Sequence, residues 1–358
     1  MVTLPEKRSE EGGGEATPVV VCDGLSAQMQ QASQKISHEK AFPISLFDLG
    51  VSFRCQEGAA SVASDKERII ATIGSSDERL NDTVHGVIAA SALRRALDEG
   101  GERRATYLEA LRRGHVRKLH LSLAGDVVDG KRVDSPSDKD EVWREVIGAL
   151  DPQTLQELFV ETTLPVLPFT LGAFTALTSV SMHGCMQLAA LPAGLFNGCG
   201  AVTFICLRDL IGLSSLDEDL FASLAELRHV ELRGCGRVRA LPGALFAGCP
   251  KLETAILSWL NGLTALPCEL LAGHAALTNL DLGGCKNLKS LPDSFFADCV
   301  GLTTLTMTGC RDLAAVPDLS SCTALAELTL LMCGSLTASP KGIREQATVK
   351  LPGQLKTK

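Results

Sequence analysis

The stretch Leu280–Cys299, LDLGGCKNLKSLPDSFFADC, decides the fold, because near-copies of it follow one another along most of the sequence from about Leu155. A Leu-Pro or Leu-Asp step in each copy makes the period visible, since successive steps begin 25 residues apart. An apolar run of the form L-x-x-L-x-L keeps the same spacing. The steps are Leu191-Pro192, Leu216-Asp217, Leu241-Pro242, Leu266-Pro267 and Leu291-Pro292.

A period of about 20 to 29 residues with this apolar run is typical of a leucine-rich repeat, in which each unit gives a short strand and a helical or irregular return. One unit does not bury its apolar side alone, so neighbouring units stack. The run LxxLxLxGCxxLxxLPxxLF, seen at Leu277–Phe296 with Phe295 at its last Leu position, resembles the cysteine-containing, plant-type leucine-rich repeats of intracellular immune receptors. That resemblance implies an α/β solenoid with a curved parallel sheet on its concave face, and a function in protein recognition. The nucleotide-binding module of those receptors is missing, so a receptor role is not implied.

The composition favours some classes of protein over others. Apolar residues make up 45% of the 358 residues, enough for a continuous core, whereas aromatic residues make up only 4%. Few aromatic residues suit a thin interior filled by stacked Leu, Ala and Val. A formal net charge of -8 and a pI near 5.5 argue against a general nucleic-acid or membrane-surface binder, which would be basic. We therefore predict protein partners, with no nucleic acid and no membrane.

The first residues, MVTLPEKRSEEGGGEATPVVVC, lack an apolar segment behind a basic start, so we predict no secretory signal. No run in the sequence approaches the roughly 18 apolar residues of a membrane span. These two observations predict a cytoplasmic protein.

Most of the 13 cysteines occupy equivalent positions of the repeat. The odd total, the lack of a secretory signal, and the presence of other residues in the same columns favour reduced, buried thiols over disulfides. Metal binding is less favoured because no CxxC pair occurs. The first column holds Cys185, Leu210, Cys235, Leu260, Cys285, Cys310 and Cys333, and the second holds Cys199, Leu224, Cys249, His274, Cys299 and Cys322.

Four regions are predicted: a disordered tail at 1–40, a helical capping region at 41–115, the leucine-rich-repeat solenoid at 116–338 and a C-terminal tail at 339–358. Helices are predicted from Asn81 to Gly100, with Val84, Val87, Ile88, Ala92 and Leu97 at helical spacing, and again over residues 102–113 and 138–150. The helices of the capping region are expected to cover the end of the solenoid core. Val349 and Leu351 hint at a last strand in the tail.

One motif raises the possibility of nucleotide chemistry. Gly125–Arg132, GDVVDGKR, has the spacing of a phosphate-binding loop up to Lys131. A phosphate-binding loop places a hydroxyl on magnesium and opens directly into a helix, whereas here Arg132 replaces the Ser/Thr and the next predicted helix begins near Asp138. An ordinary connecting loop is the better interpretation. The seven dispersed histidines form no persuasive metal site or catalytic triad, and Cys206 is interpreted as an inert thiol.

The strand pattern singles out a binding surface. In L-x-x-L-x-L the leucines point inward, so the residues between them point to the concave face. Arginine and aromatic side chains, which interface hot spots favour, concentrate on the N-terminal and middle repeats. The alternative is a solvated face whose charges pair with one another. The predicted partner-binding residues are Phe204, Arg208, Arg228, His229, Glu231, Arg233, Ile256 and Trp259.

The sequence therefore predicts a non-catalytic scaffold that recognises proteins through the concave face, with no cofactor, metal or catalytic residue. Two alternatives stay open. In one, the chain is the substrate-receptor subunit of a ubiquitin-ligase-type assembly, with residues 41–115 docking the effector. In the other, which is less favoured, it is a nucleotide-binding enzyme that uses Gly125–Arg132.

Overall fold

The computed structural model describes residues 86–89, 105, 108, 112, 117–123, 127–128, 131–132, 139–162 and 164–355. All of them belong to one compact unit. Among the described residues, helix α1 lies over Lys139–Ala149, and a short 3-10 turn over Gly353–Leu355. The strands are β1 Gly86–Ala89, β2 Lys118–Leu123, β3 Val127–Val128, β4 Lys131–Arg132, β5 Glu157–Thr162, β6 Ser179–His183, β7 Phe204–Arg208, β8 His229–Arg233, β9 Thr254–Ile256, β10 Asn279–Asp281, β11 Thr304–Thr306, β12 Glu327–Thr329 and β13 Thr348–Lys350.

Eleven strands form one sheet in the order β1-β2-β5-β6-β7-β8-β9-β10-β11-β12-β13, and every neighbouring pair in it is parallel. Each strand is therefore one rung of a ladder, and from β5 onward the chain returns between rungs through turns and irregular segments. The backbone bonds follow the period: Thr203 N–H donates to the Thr178 carbonyl at 2.8 Å, and Thr278 N–H to the Glu253 carbonyl at 2.8 Å. The predicted leucine-rich-repeat solenoid is confirmed.

The core is a stack of equivalent leucines, because the strand residues alternate between buried and partly exposed positions. Leu227, Leu252, Leu277 and Leu302 are each 0% exposed, as expected for side chains that the next rung covers. A row of phenylalanines runs through the return segments: the ring centroids of Phe196–Phe221 and of Phe221–Phe246 are each 6.0 Å apart. A single repeat would leave these side chains exposed, whereas neighbouring repeats in the stack bury them.

Both cysteine columns are buried and free, as predicted. Seven of the nine column thiols donate to a backbone carbonyl of the preceding rung, for example Cys235 Sγ to the Leu207 carbonyl at 3.6 Å and Cys249 Sγ to the Phe221 carbonyl at 3.5 Å. His274 stands in the second column and keeps this contact, since its Nε2 lies 3.1 Å from the Phe246 carbonyl. The columns thus add side-chain hydrogen bonds between neighbouring rungs.

The N-terminal part of the sheet corrects one prediction. Gly86–Ala89, predicted as part of a helix, is strand β1 and pairs in parallel with β2. The helical spacing of apolar residues around Val87 and Ile88 was misleading, because both are β-branched and the free edge of β2 offers them a ladder of backbone bonds. The predicted helix at 138–150 is confirmed as α1, and residues 105, 108 and 112 are helical, with Leu108 buried. The rest of the predicted capping region lies outside the described residues, as does the tail at 1–40.

At the other end, β13 adds a last strand, as Val349 and Leu351 hinted, and both side chains pack against the core. No helix in the described part of the chain is long and apolar enough to cross a membrane.

Candidate functional site

The exposed face of the parallel sheet carries the predicted binding residues in columns. Strand pairing places Ser181, Cys206, Glu231, Ile256 and Asp281 side by side on consecutive rungs. His183, Arg208 and Arg233 form the next column. The columns predicted from the two-residue alternation are therefore present.

Glu231 is the centre of a half-buried polar cluster on this face. Arg208 donates from Nε and Nη2 to Glu231 Oε1 at 3.1 and 2.8 Å, and the Cys206 thiol lies 3.5 Å from Glu231 Oε2, to which it donates. Glu231 is only 6% exposed, so its carboxylate is held by these contacts and not by water. Removing Arg208 would leave a nearly buried charge without its main partner, which is strongly destabilising. Cys206 is a hydrogen-bond donor here, which agrees with an inert thiol.

A second contact joins Phe204 and His229, whose rings stack with centroids 4.6 Å apart and planes 14° apart. Just before the strands, Arg228 forms an exposed ion pair with Glu253. Such exposed pairs contribute little to stability. Two of the predicted residues, Arg208 and Arg228, thus pair with acidic residues of the same face, as expected for a solvated face whose charges pair with one another. Arg233 is exposed, and Ile256 is half-buried.

Asp281 extends the polar surface one rung beyond Ile256. The Gly283 N–H donates to Asp281 Oδ1 at 2.7 Å. Burial raises the pKa of the Asp281 carboxyl, while that hydrogen bond and the charge of Arg233 oppose the rise. Arg233 thus lies between the acidic groups of β8 and β10, within electrostatic reach of Asp281.

Trp259 lies in the turn after β9, outside the columns of the sheet face, and it adopts a backbone conformation that tryptophan rarely accepts. Its φ is 59°, in the left-handed region, which costs an L-residue roughly 1–2 kcal/mol. Other rungs place glycine at the same column: Gly184, Gly234, Gly284 and Gly309, all at positive φ. Asp209 (φ 56°) and Met332 (φ 59°) are the other non-glycine residues in it.

The neighbouring glycine makes room for the tryptophan. A Cβ on Gly284 would lie 2.7 Å from Trp259 Cδ2, so the indole lies directly over that backbone. Lys286 Nζ lies 5.5 Å from the ring centroid, within the range of a cation–π contact. Despite these contacts Trp259 is 46% exposed.

Two buried polar atoms flank Trp259 without a partner among the described residues: Ser258 Oγ and Asn261 Oδ1. Buried polar groups are almost always hydrogen-bonded, so two exceptions within four residues mark this turn. The sequence predicted Trp259 as an aromatic residue near the exposed face of the sheet, but it did not predict the strained backbone conformation of this residue. The available signal was a tryptophan, an aspartate and a methionine in an otherwise glycine column.

Within the stretch Gly125–Arg132, strands β3 and β4 pair antiparallel, with Val127 opposite Arg132 and Val128 opposite Lys131. A phosphate-binding loop instead opens directly into a helix, and α1 begins only at Lys139. The described residues also contain no group of three His, Cys, Asp or Glu placed to hold a metal ion.

Comparison with known proteins agrees with this architecture. No protein-family model and no curated protein matches the sequence. Among solved structures, the leucine-rich-repeat domain of the type III effector XopL is similar, with 20% identity, a TM-score of 0.58 and coverage of 86% of this chain and 99% of that one. A leucine-rich-repeat protein of Leptospira interrogans has 20% identity, a TM-score of 0.46 and coverage of 68% and 63%. A chain from the Toll–Spatzle complex of Drosophila has 21% identity, a TM-score of 0.41 and coverage of 63% and 34%. By its fold, the chain is a leucine-rich-repeat protein.

Proposed function

We propose that the protein is a non-catalytic recognition module that binds another protein through the exposed face of its sheet. The observation that carries this proposal is the row of side chains on β7–β9 that the fold does not need for its core: Phe204, His229, Arg233 and Ile256 lie on the outer face, while the leucines between them fill the interior. A row of polar and apolar groups on a rigid sheet gives a partner a preorganised surface, so little ordering entropy is lost on binding.

The two pairs on this face support that role. The Arg208–Glu231 pair and the Phe204–His229 stack fix the positions of an arginine and two rings before any partner arrives. Arginine and aromatic groups in fixed positions are the residues that interface hot spots favour. Glu231 acts in this proposal by holding Arg208, since it is itself nearly closed off from solvent.

The test is affinity capture with the full chain and with single variants, quantified by mass spectrometry. The full chain is needed because residues 1–115 include β1, a strand of the sheet. Arg233→Glu and Ile256→Glu change exposed or half-exposed groups and are expected to lose the captured partner. Lys251→Glu, on a return segment away from this face, makes the same kind of charge change and is expected to keep it. Capture that is insensitive to both face variants contradicts the proposal.

Binding through β7–β9 does not depend on the ubiquitin-ligase alternative, which stays a prediction because residues 41–115 lie almost entirely outside the described part of the chain. The nucleotide-binding alternative is disfavoured by the antiparallel pairing of β3 with β4, because a phosphate-binding loop opens directly into a helix. Loss of ATP binding in Lys131→Ala would be needed to support it.

A reducing, cytoplasmic location is also part of this proposal. The nine column cysteines are free and buried, and free thiols in such number suit a compartment that keeps them reduced.

A further inference from the structure

Summed over the repeats of the solenoid, charge is segregated between two sets of segments. The segments that leave the strands, here called the strand-exit edge, contain seven Lys or Arg and two Asp or Glu, whereas the return segments contain two Lys or Arg and nine Asp or Glu. On a protein of net charge -8, this edge is a basic surface. The strand-exit edge comprises 183–190, 208–215, 233–240, 258–265, 283–290, 308–315 and 331–338, and the return segments are 191–203, 216–228, 241–253, 266–278, 291–303 and 316–326.

Some charged side chains of the edge already have a partner within the protein. Arg208 is engaged by Glu231, and Asp209 is engaged by His183, whose Nε2 lies 3.2 Å from Asp209 Oδ2. Lys286 is half-buried beside Trp259, and Asp312 is an exposed acid on the edge. The remaining cations of the edge are exposed to solvent: Arg233, Arg237, Arg239, Lys289 and Arg311.

Trp259 lies in the middle of this edge, one rung from Arg233 and one rung from Lys286. At four other rungs glycine supplies the same left-handed turn without strain, so the fold does not need a tryptophan here. The ring is half-exposed, and Ser258 Oγ and Asn261 Oδ1 beside it are buried without partners. Strain and unsatisfied polar atoms that cluster at one exposed aromatic residue are typical of a binding site.

We propose that the strand-exit edge docks an acidic segment of a partner protein, with an apolar side chain of that segment on Trp259 and its carboxylates on Arg233 and Lys286. This inference rests on the proposed recognition function and names the class of its partner. Neighbouring rungs lie about 4.8 Å apart, so the rungs that carry Arg233 and Lys286 are about 10 Å apart. An extended peptide of about four residues bridges that distance.

A nucleic acid is the less suitable occupant, although it is also acidic. Single-strand binders combine a basic groove with several stacking rings, whereas Trp259 is the one aromatic residue in the seven edge segments. The acidic return segments of the same repeats would also repel a long polyanion.

The experiment measures fluorescence anisotropy of the full chain with four labelled probes. The first is a peptide of about twelve alternating Glu and Asp residues with one central Phe; the others are its Phe→Ser form, its all-Lys form and an oligothymidylate of about the same length. We expect the first to bind at least about tenfold more tightly than the other three, and to weaken as salt is raised.

Three variants locate the site. Trp259→Gly restores the glycine of the column and so keeps the fold, and Lys286→Glu reverses one edge charge; each is expected to weaken the acidic Phe peptide at least about fivefold. Lys251→Glu is the matched control, because it makes the same substitution on a return segment, and it is expected to change affinity less than about twofold. Equal loss in the control, no binding of the peptide, or tighter binding of the oligonucleotide overturns the proposal.

Failure here is distinguishable from failure of the recognition function. Suppose that the captured partner is lost with Ile256→Glu but kept with Trp259→Gly and Lys286→Glu. That result overturns docking on the strand-exit edge and leaves binding through the sheet face in place.

Discussion

Met332 shares the positive φ of the glycines in its column but carries a side chain. Its φ of 59° matches that of Trp259, but its side chain is 69% exposed. The left-handed conformation therefore costs energy at this rung without the packing that would offset it. The same column shows that glycine is compatible with the turn.

Met332→Gly is expected to raise the free energy of unfolding by about 0.5–1 kcal/mol, because glycine accepts positive φ, although it also loses more entropy on folding. Chemical denaturation of the full chain measures this. Met332→Ala removes the same exposed side chain but keeps the strain, so it is expected to bring no gain. A gain with Ala equal to that with Gly would show that the side chain, and not the torsion angle, is responsible.

Prediction from the sequence succeeded for residues whose role depends on the period alone. Leu280 and Cys285 could be placed inside because a repeat that stacks on copies of itself must bury the positions that recur. Trp259 could not be placed with the same detail, since its strain depends on a torsion angle and on the neighbouring Gly284 backbone. Glu231 was expected on the surface and is nearly buried, because Arg208 and Cys206 close over it.

At the scale of the element, cysteines of the two columns tie the strand-exit edge and the return segments to the rungs before them. Burial raises the pKa of Cys185, Cys199 and Cys322 to about 11. It raises the pKa of the thiols deeper in the stack to about 12: Cys235, Cys249, Cys285 and Cys299. All seven thus hold their protons more strongly than a thiol with the ordinary value of 9.0.

These shifts predict loss of stability in alkali. Below about pH 9 a thiol is protonated in both the folded and the unfolded chain, so the free energy of unfolding does not depend on it. Above that pH the unfolded chain loses the proton first, and stability falls until the folded pKa of about 11 to 12 is passed. Urea denaturation between about pH 7.5 and 10.5 measures the slope.

The double variant Cys235→Leu, Cys249→Leu is the matched comparison, because Leu210 and Leu224 already fill the same columns on other rungs. We expect a shallower alkaline slope in this variant. An unchanged slope would assign the effect to other groups.

β1 shows why one element was mispredicted. Local spacing around Val87 favoured a helix, whereas the strand forms because β2 has an open edge, and that edge is a property of residues more than 30 positions away in the sequence. α1 was predicted to within one residue at each end because its signals are local.

For the whole molecule, the regular period implies that rungs are interchangeable. Gly309 occupies the place of Gly284, and Cys310 that of Cys285, so the interface that β10 presents to β9 is closely matched by the one that β11 would present. Stability in such a stack is approximately a sum over repeats and their interfaces.

Deletion of residues 280–304, one period of 25 residues, joins Asn279 to Leu305 in register and places Gly309 beneath Trp259. The shortened chain is expected to fold, with a lower free energy of unfolding because one interface is lost. Circular dichroism and urea denaturation test this. Deletion of about half that length is the control, and it is expected to abolish cooperative unfolding because it turns every later leucine out of the core. Equal tolerance of both deletions would contradict the stacking argument.

The hydrogen bonds from each rung to the one before it also determine how the molecule responds to force. Pulling the chain from its C-terminal end loads the bonds of β13 to β12 first, while the bonds of earlier rungs carry little of the load. Each rung that peels away releases one repeat of chain, about 80–90 Å when extended, and exposes an equivalent rung behind it. Under force the solenoid is therefore expected to unfold one repeat at a time, with near-equal increases in length, and not in a single cooperative event.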